Sequence, residues 1–140
     1  MKPPRYKKPR VSEHHEQANF FDRVLFDYRH REDFIAKLLF SVPNGMWIGG
    51  NNPFALMAKL KAEGLQPGVS DILYLQPRGE YNCLAIEMKE LDKRNSKDAV
   101  TPEQLEFIEA VNANGGIGEV CYGCDEALNI FNTYMQMDAR

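Results

Sequence analysis

Asp71, Glu87 and Lys89 are the residues of this 140-residue chain whose types and spacing can do chemistry. If residues 83–89 form a strand, Leu84, Ile86 and Met88 point to one face, and Cys83, Ala85, Glu87 and Lys89 to the other. Glu87 and Lys89 then stand two residues apart on one side of an otherwise apolar strand. Asp71 follows the Pro67-Gly68 turn among Val69, Ile72 and Leu73. A hairpin of residues 69–75 with 83–89 brings it near Glu87. Two ionised carboxylates ~4 Å apart repel by roughly 4 kcal/mol at an effective dielectric of about 20, so something cationic must offset them. That cation is a divalent metal, Lys89, or both. Hard oxygen donors suit Mg2+ or Mn2+ better than zinc. Each residue alone also has a plain explanation, as a same-face ion pair or a turn residue. Together, at hairpin spacing, they favour a site.

The elements that must position these side chains are legible in outline. Ser12 caps a helix running to about Tyr28, with Ala18, Phe20, Phe21, Val24, Leu25 and Tyr28 as its apolar stripe. At ~100° per residue, Glu13 and Gln17 fall at the edge of that stripe or within it, whereas Glu16 points away. Glu13 is therefore the preferred acid of the first turn. Residues 34–40 form a second helical segment ending near Pro43. Pro43-Asn44-Gly45 and Gly49 to Pro53 make a turn-rich stretch, and residues 54–63 a short helix stopped by Gly64. Pro77-Arg78-Gly79-Glu80 turns the hairpin, and a charged loop follows the Glu-x-Lys strand. Thr101, Pro102 and Gln104 together write a capping box that opens the next helix. Gln104 either only closes that box or also reaches the site. A third strand at 117–122 and a last helix at 125–137 complete a mixed α/β sandwich, with helices covering a small sheet.

Composition bounds the class. At 44% hydrophobic and 26% charged, the chain suits one globular domain and excludes collagen-like, mucin-like or wholly disordered readings. No apolar run approaches the ~18 residues of a spanning helix, and the Pro- and Lys-rich N-terminus does not read as a signal peptide. Three cysteines argue against a disulfide scaffold, so a soluble domain of a reducing cytoplasm is expected. Cys121-x-x-Cys124 has no second pair or spaced histidine, which argues against zinc. The net charge of −3 conceals an asymmetry. Residues 1–10 hold Lys2, Arg5, Lys7, Lys8 and Arg10 and no acid, leaving twelve basic against twenty acidic residues in the rest, a net −8. The stretch 1–11 reads as an extended basic arm, either a solubilising tail or a segment that lies on a polyanion. Lys93, Arg94 and Lys97 in the charged loop are further candidates for contact with such a polyanion, or simply a solvated loop. Trp47 is expected to pack in the core rather than to stack on a ligand ring. Phe34, Leu38, Leu39, Met135 and Met137 line the core or a dimer face, with the core favoured.

The ordered set Gly68-Val69-Ser70-Asp71-Ile72, Ile86-Glu87-Met88-Lys89 and Thr101-Pro102-Glu103-Gln104 resembles the PD-(D/E)xK nuclease superfamily, and more narrowly its virus-type replication–repair nuclease (VRR-Nuc) domain. Ser12-Glu13 with Gln17, the Pro43-Asn44-Gly45 turn, and Lys61, Gly64, Leu65 and Gly68 match further parts of that pattern, over roughly residues 12–135. The resemblance implies a restriction-endonuclease-like core and hydrolysis of DNA phosphodiesters with Mg2+ or Mn2+. In that scheme Asp71, Glu87 and the Met88 carbonyl hold the metal, and Glu13 completes or supports the site. Lys89 orients or deprotonates the attacking water, Gln104 joins the catalytic set or remains structural, and Gln17 stands behind. Free-standing relatives, often carried by phages and prophages, resemble Holliday-junction resolvases and act as homodimers, so branched DNA and a second copy are the expected partners. The rivals are a monomeric nuclease for flaps or splayed ends, and a catalytically silent DNA-binding module of the same fold.

Overall fold

The computed structural model describes residues 11–43 and 51–140. The arm at 1–10, the Asn44-Gly45 part of the expected turn and Trp47 lie outside the described residues.

Helix α1 (Glu13–Tyr28) starts where Ser12 accepts a hydrogen bond from the His15 N–H. Its buried face runs Glu16, Phe20, Val24, Tyr28. This differs from the expected stripe: Ala18 and Leu25 are exposed, and Glu16, expected to point away, is buried. The four-residue spacing carries the stripe back to Glu16 because its carboxylate has a partner in the interior.

The expected second helix is not formed. Ala36–Leu38 makes one 3-10 turn and strand β1 (Leu39–Ser41) follows. A run this short gains little from helical hydrogen bonds of its own. Its backbone instead pairs antiparallel with β2 (Ile72–Tyr74), Leu39 opposite Tyr74 and Ser41 opposite Ile72. Between them, α2 (Pro53–Ala62) is capped by Asn52, whose side chain accepts from the Ala55 N–H, with Pro53 in the first turn. No residue of α2 is buried, and Phe54 stands 87% exposed.

Strand β3 (Leu84–Lys89) pairs antiparallel with β2 and parallel with β4 (Ile117–Tyr122), giving the order β1-β2-β3-β4. Helix α3 (Pro102–Ala113) connects the parallel pair, as a parallel crossover requires. Helix α4 (Cys124–Met135) closes the chain. The hairpin, the capping box and the third strand therefore stand where the sequence puts them.

The sheet has two unlike faces. Leu84, Ile86 and Met88 join Phe20 and Val24 of α1 and Phe131 and Tyr134 of α4 in the main core. Phe131 centres an aromatic cluster, 5.7 Å from Phe20, 5.4 Å from Tyr28 and 5.3 Å from Tyr74 by ring centroids. Phe34, Leu39 and Met135 are buried in that core, with Leu38 and Met137 packed against it, so these residues face inward. Arg78 is buried as well, and donates to the carbonyls of Met135 and Met137 and to the Asp33 carboxylate, tying the hairpin turn to the end of α4. The opposite face meets α3, where Gly118 lets Ile108 approach the backbone of β4. Among the described residues no helix is long and apolar enough to cross a membrane.

Candidate active site

The site begins with a missing strand partner. Cys83 and Lys89 accept hydrogen bonds from Ile117 and Gly123, so the odd-numbered residues of β3 turn their backbone groups toward β4. The even-numbered ones turn theirs toward β2, but β2 reaches no further than Ile72, opposite Ile86. At Met88, one step beyond, the side chain of Asp71 replaces the strand: its Oδ2 accepts from the Met88 N–H at 2.9 Å. The Met88 carbonyl lies on this same edge, because an extended residue sends both its polar groups to one side.

Glu87 and Lys89 project from β3 on the face toward α3. Glu87 is only 1% exposed. Its Oε1 takes two donors, the Gln104 amide at 2.7 Å and the Lys89 ammonium at 3.2 Å. Its Oε2 is buried and has no donor. The Asp71 carboxyl lies within hydrogen-bonding reach of Glu87, but two carboxylates can share such a bond only with a proton or a cation between them. The electrostatics follow from this. Burial, then the charge of Asp71, pushes the Glu87 carboxyl up to about 8, while Lys89 pulls the other way. Burial also raises Asp71, opposed by the Met88 N–H. Ser70, next to Asp71, buries a hydroxyl that also lacks a partner.

Gln104 closes the capping box and also reaches Glu87. Its Oε1 accepts from the Thr101 N–H at 2.9 Å, its own N–H donates to Thr101 Oγ1 at 3.2 Å, and its Nε2 still reaches Glu87. The helix end is seated by Gly68, whose φ of +82° suits glycine and where a Cβ would run into the Glu103 carbonyl and the Gln104 nitrogen. The sequence marked Gly68 as a turn and as part of the motif leading to Asp71, not as a contact of α3. Its contact with α3 could have been suspected from a glycine and a capping box flanking the same hairpin.

Glu13 is half-buried near this corner, close enough for Lys89, Asp71 and Lys93 to act on its charge, and burial raises its carboxyl. It does not close a three-acid cluster: among the described residues no three His, Cys, Asp or Glu side chains gather tightly enough to hold a metal ion. Gln17, one turn on, lines a groove with His14, Phe21 and Ser41. Glu16 has a different task, because its Oε2 accepts from the Cys124 N–H at 2.6 Å and so caps α4. Of the loop cations, Lys93 faces the corner through Glu13, and Lys97 is exposed. Arg94 is engaged with Glu126 and lies 5.2 Å from the Tyr122 ring centre, which leaves it less free for a phosphate. Lys7, Lys8 and Arg10 lie outside the described residues. Cys121 is buried and its thiol is pushed up to about 12, the opposite of a metal-binding thiolate.

The donors present fit a hard divalent ion. The Asp71 carboxyl, the orphaned Oε2 of Glu87 and the Met88 carbonyl are hard oxygen donors at the same end of β3. Mg2+ commonly uses one or two carboxylates and keeps several waters, so a two-acid site suffices.

The VRR-NUC domain family model matches residues 48–125, more than half of the chain and the stretch that carries Asp71, Glu87, Lys89 and Gln104. A solved structure described as a VRR_NUC domain protein superposes with a TM-score of 0.71 at 22% identity, covering 96% of this chain and 94% of that one, which is a likeness of fold. No curated protein matches. The four-stranded mixed sheet with its flanking helices is thus the fold of that domain, and the domain carries a nuclease-type function. With the family model and the acid-bearing hairpin falling on the same residues, the chain belongs to the VRR-NUC domain family.

Proposed function

We propose that this protein is a divalent-metal-dependent DNA endonuclease that cuts branched DNA as a homodimer. The observation that carries the reading is the Asp71–Glu87 pair, whose orphaned buried oxygen calls for a cation beside Lys89. Asp71, Glu87 and the Met88 carbonyl hold Mg2+ or Mn2+. When bound, such an ion supplies Lewis acidity and a coordinated water of lowered pKa. Lys89, held by Glu87 at 3.2 Å, orients the attacking water or takes its proton, and its charge opposes that developing on the phosphorane. Glu13 supports the site through water rather than by direct ligation. Lys93 offers positive charge to the scissile strand, and the basic arm with Lys97 adds backbone contacts that compensate the acidic body. A dimer suits a four-way junction because closed two-fold pairing presents two sites to two strands.

The test is a panel of labelled duplex, flap, splayed-arm and four-way-junction DNAs incubated with Mg2+ or Mn2+, beside a sizing measurement of the free protein. Cleavage of the junction by a dimer, lost in Asp71→Ala with binding retained, supports the proposal. Cleavage of flaps or splayed ends by a monomer replaces it with the narrower nuclease. Identical behaviour of wild type and Asp71→Ala leaves only a DNA-binding module.

A further inference from the structure

Glu87 has two oxygens with opposite fates, and the N-terminus of α3 decides which is which. Oε1 is occupied by donors from Gln104 and Lys89, while Oε2 is left without any. The amide of Gln104 cannot flip to offer its oxygen instead, because that oxygen already accepts from the Thr101 N–H. The capping box, ordinarily a device of helix stability, therefore fixes the direction of a side-chain amide whose free end grips an acid on the neighbouring strand. Gly68 holds the helix end close enough for this, because a side chain there would run into the Glu103 carbonyl and come to 2.8 Å from the Gln104 nitrogen.

We propose that Gln104 is a positioning residue: its amide, oriented by the Thr101 backbone, holds Glu87 Oε1 so that the unpartnered Oε2 is left to receive the ion. This rests on the metal-dependent reading above and adds the element that orients the ligand. It also separates two functions that share one residue. The Thr101 hydroxyl caps the helix through the Gln104 N–H, whereas the Thr101 N–H aims the amide. Removing the hydroxyl leaves the amide aimed, and removing the amide leaves the hydroxyl cap in place.

The experiment is a calorimetric Mn2+ titration of the full chain, with thermal melts, for wild type, Thr101→Ala, Gln104→Met, Gln104→Asn and Asp71→Asn. Thr101→Ala is expected to melt at a lower temperature yet bind Mn2+ within about twofold of wild type. Gln104→Met should weaken Mn2+ binding roughly tenfold, the low end for loss of a group that orients a ligand. Gln104→Asn, one methylene too short to span Thr101 and Glu87, should follow it. Wild-type affinity in both Gln104 variants, or equal weakening by Thr101→Ala, overturns the proposal and leaves Gln104 a helix cap. Wild-type affinity in Asp71→Asn removes the metal reading itself, and the positioning role with it.

Discussion

Replacing Glu87 with glutamine should make the metal-free protein more stable at neutral pH while disabling it. Glu87 is pushed up to about 8 in the fold, chiefly by burial, against an ordinary value of 4.5. Between those values the folded state holds a proton that the unfolded chain has released. Stability contributed by this group is therefore fully present below about pH 4.5 and is lost as pH rises through about 8. One proton held by the folded state alone costs about 1.4 kcal/mol for every tenfold fall in proton concentration, so the loss between about pH 5 and pH 7 is about 2–3 kcal/mol. Asp71, also raised, adds to it in the same direction. An amide at position 87 does not titrate, can donate to Asp71, and can still accept from Gln104 and Lys89. Urea unfolding in EDTA across that range should show wild-type stability falling with pH and the Glu87→Gln variant nearly flat, the two curves separating toward neutrality. Saturating Mn2+ should remove the slope in wild type and do nothing for the variant. A wild-type curve that is flat or rising between about pH 5 and pH 7, or the same slope in both proteins, refutes the electrostatic account of the pair.

Other outcomes follow from single contacts. Gly64 and Gly68 both have positive φ, but only Gly68 abuts α3. Gly64→Ala should thus lower stability by about 1–2 kcal/mol through strain alone, and Gly68→Ala by more, with Mn2+ affinity reduced only in the latter. Glu16→Ala should destabilise by about 1–3 kcal/mol in urea melts, because it uncaps α4, while cleavage by the folded fraction persists. Glu13→Gln should do the reverse, leaving the melt near wild type and slowing cleavage. Lys89→Met should lower the single-turnover cleavage rate by about 10²–10⁴-fold with little change in DNA affinity, and an unchanged rate would remove Lys89 from the chemistry. Deleting residues 1–10 should flatten the salt dependence of DNA binding by at most ~4–5 in the log–log slope, and an unaltered slope takes the arm out of the interface.

Local rules sufficed wherever neighbours in the chain settle the outcome. Thr101-Pro102-Glu103-Gln104 writes its own helix start, and both halves of the box are formed. Alternation alone placed Glu87 and Lys89 on one side of a strand, and the hairpin brought Asp71 to them, because strand pairing leaves little freedom in register once one face is apolar. The sequence also carried the family, through a spaced set of residues that the fold gathers on one edge. Contacts between distant segments decided the rest. Residues 34–40 became a turn and a strand because β2 needed a partner, which their own periodicity does not reveal. Glu16 turned inward because the free N–H at the start of α4, 108 residues away, makes burial of that carboxylate favourable. The division of labour between the two oxygens of Glu87 is likewise beyond any reading of spacing. It exists only because separate segments meet: Gly68 packs against the first turn of α3, and Gln104 from that turn hydrogen-bonds to Glu87 of β3.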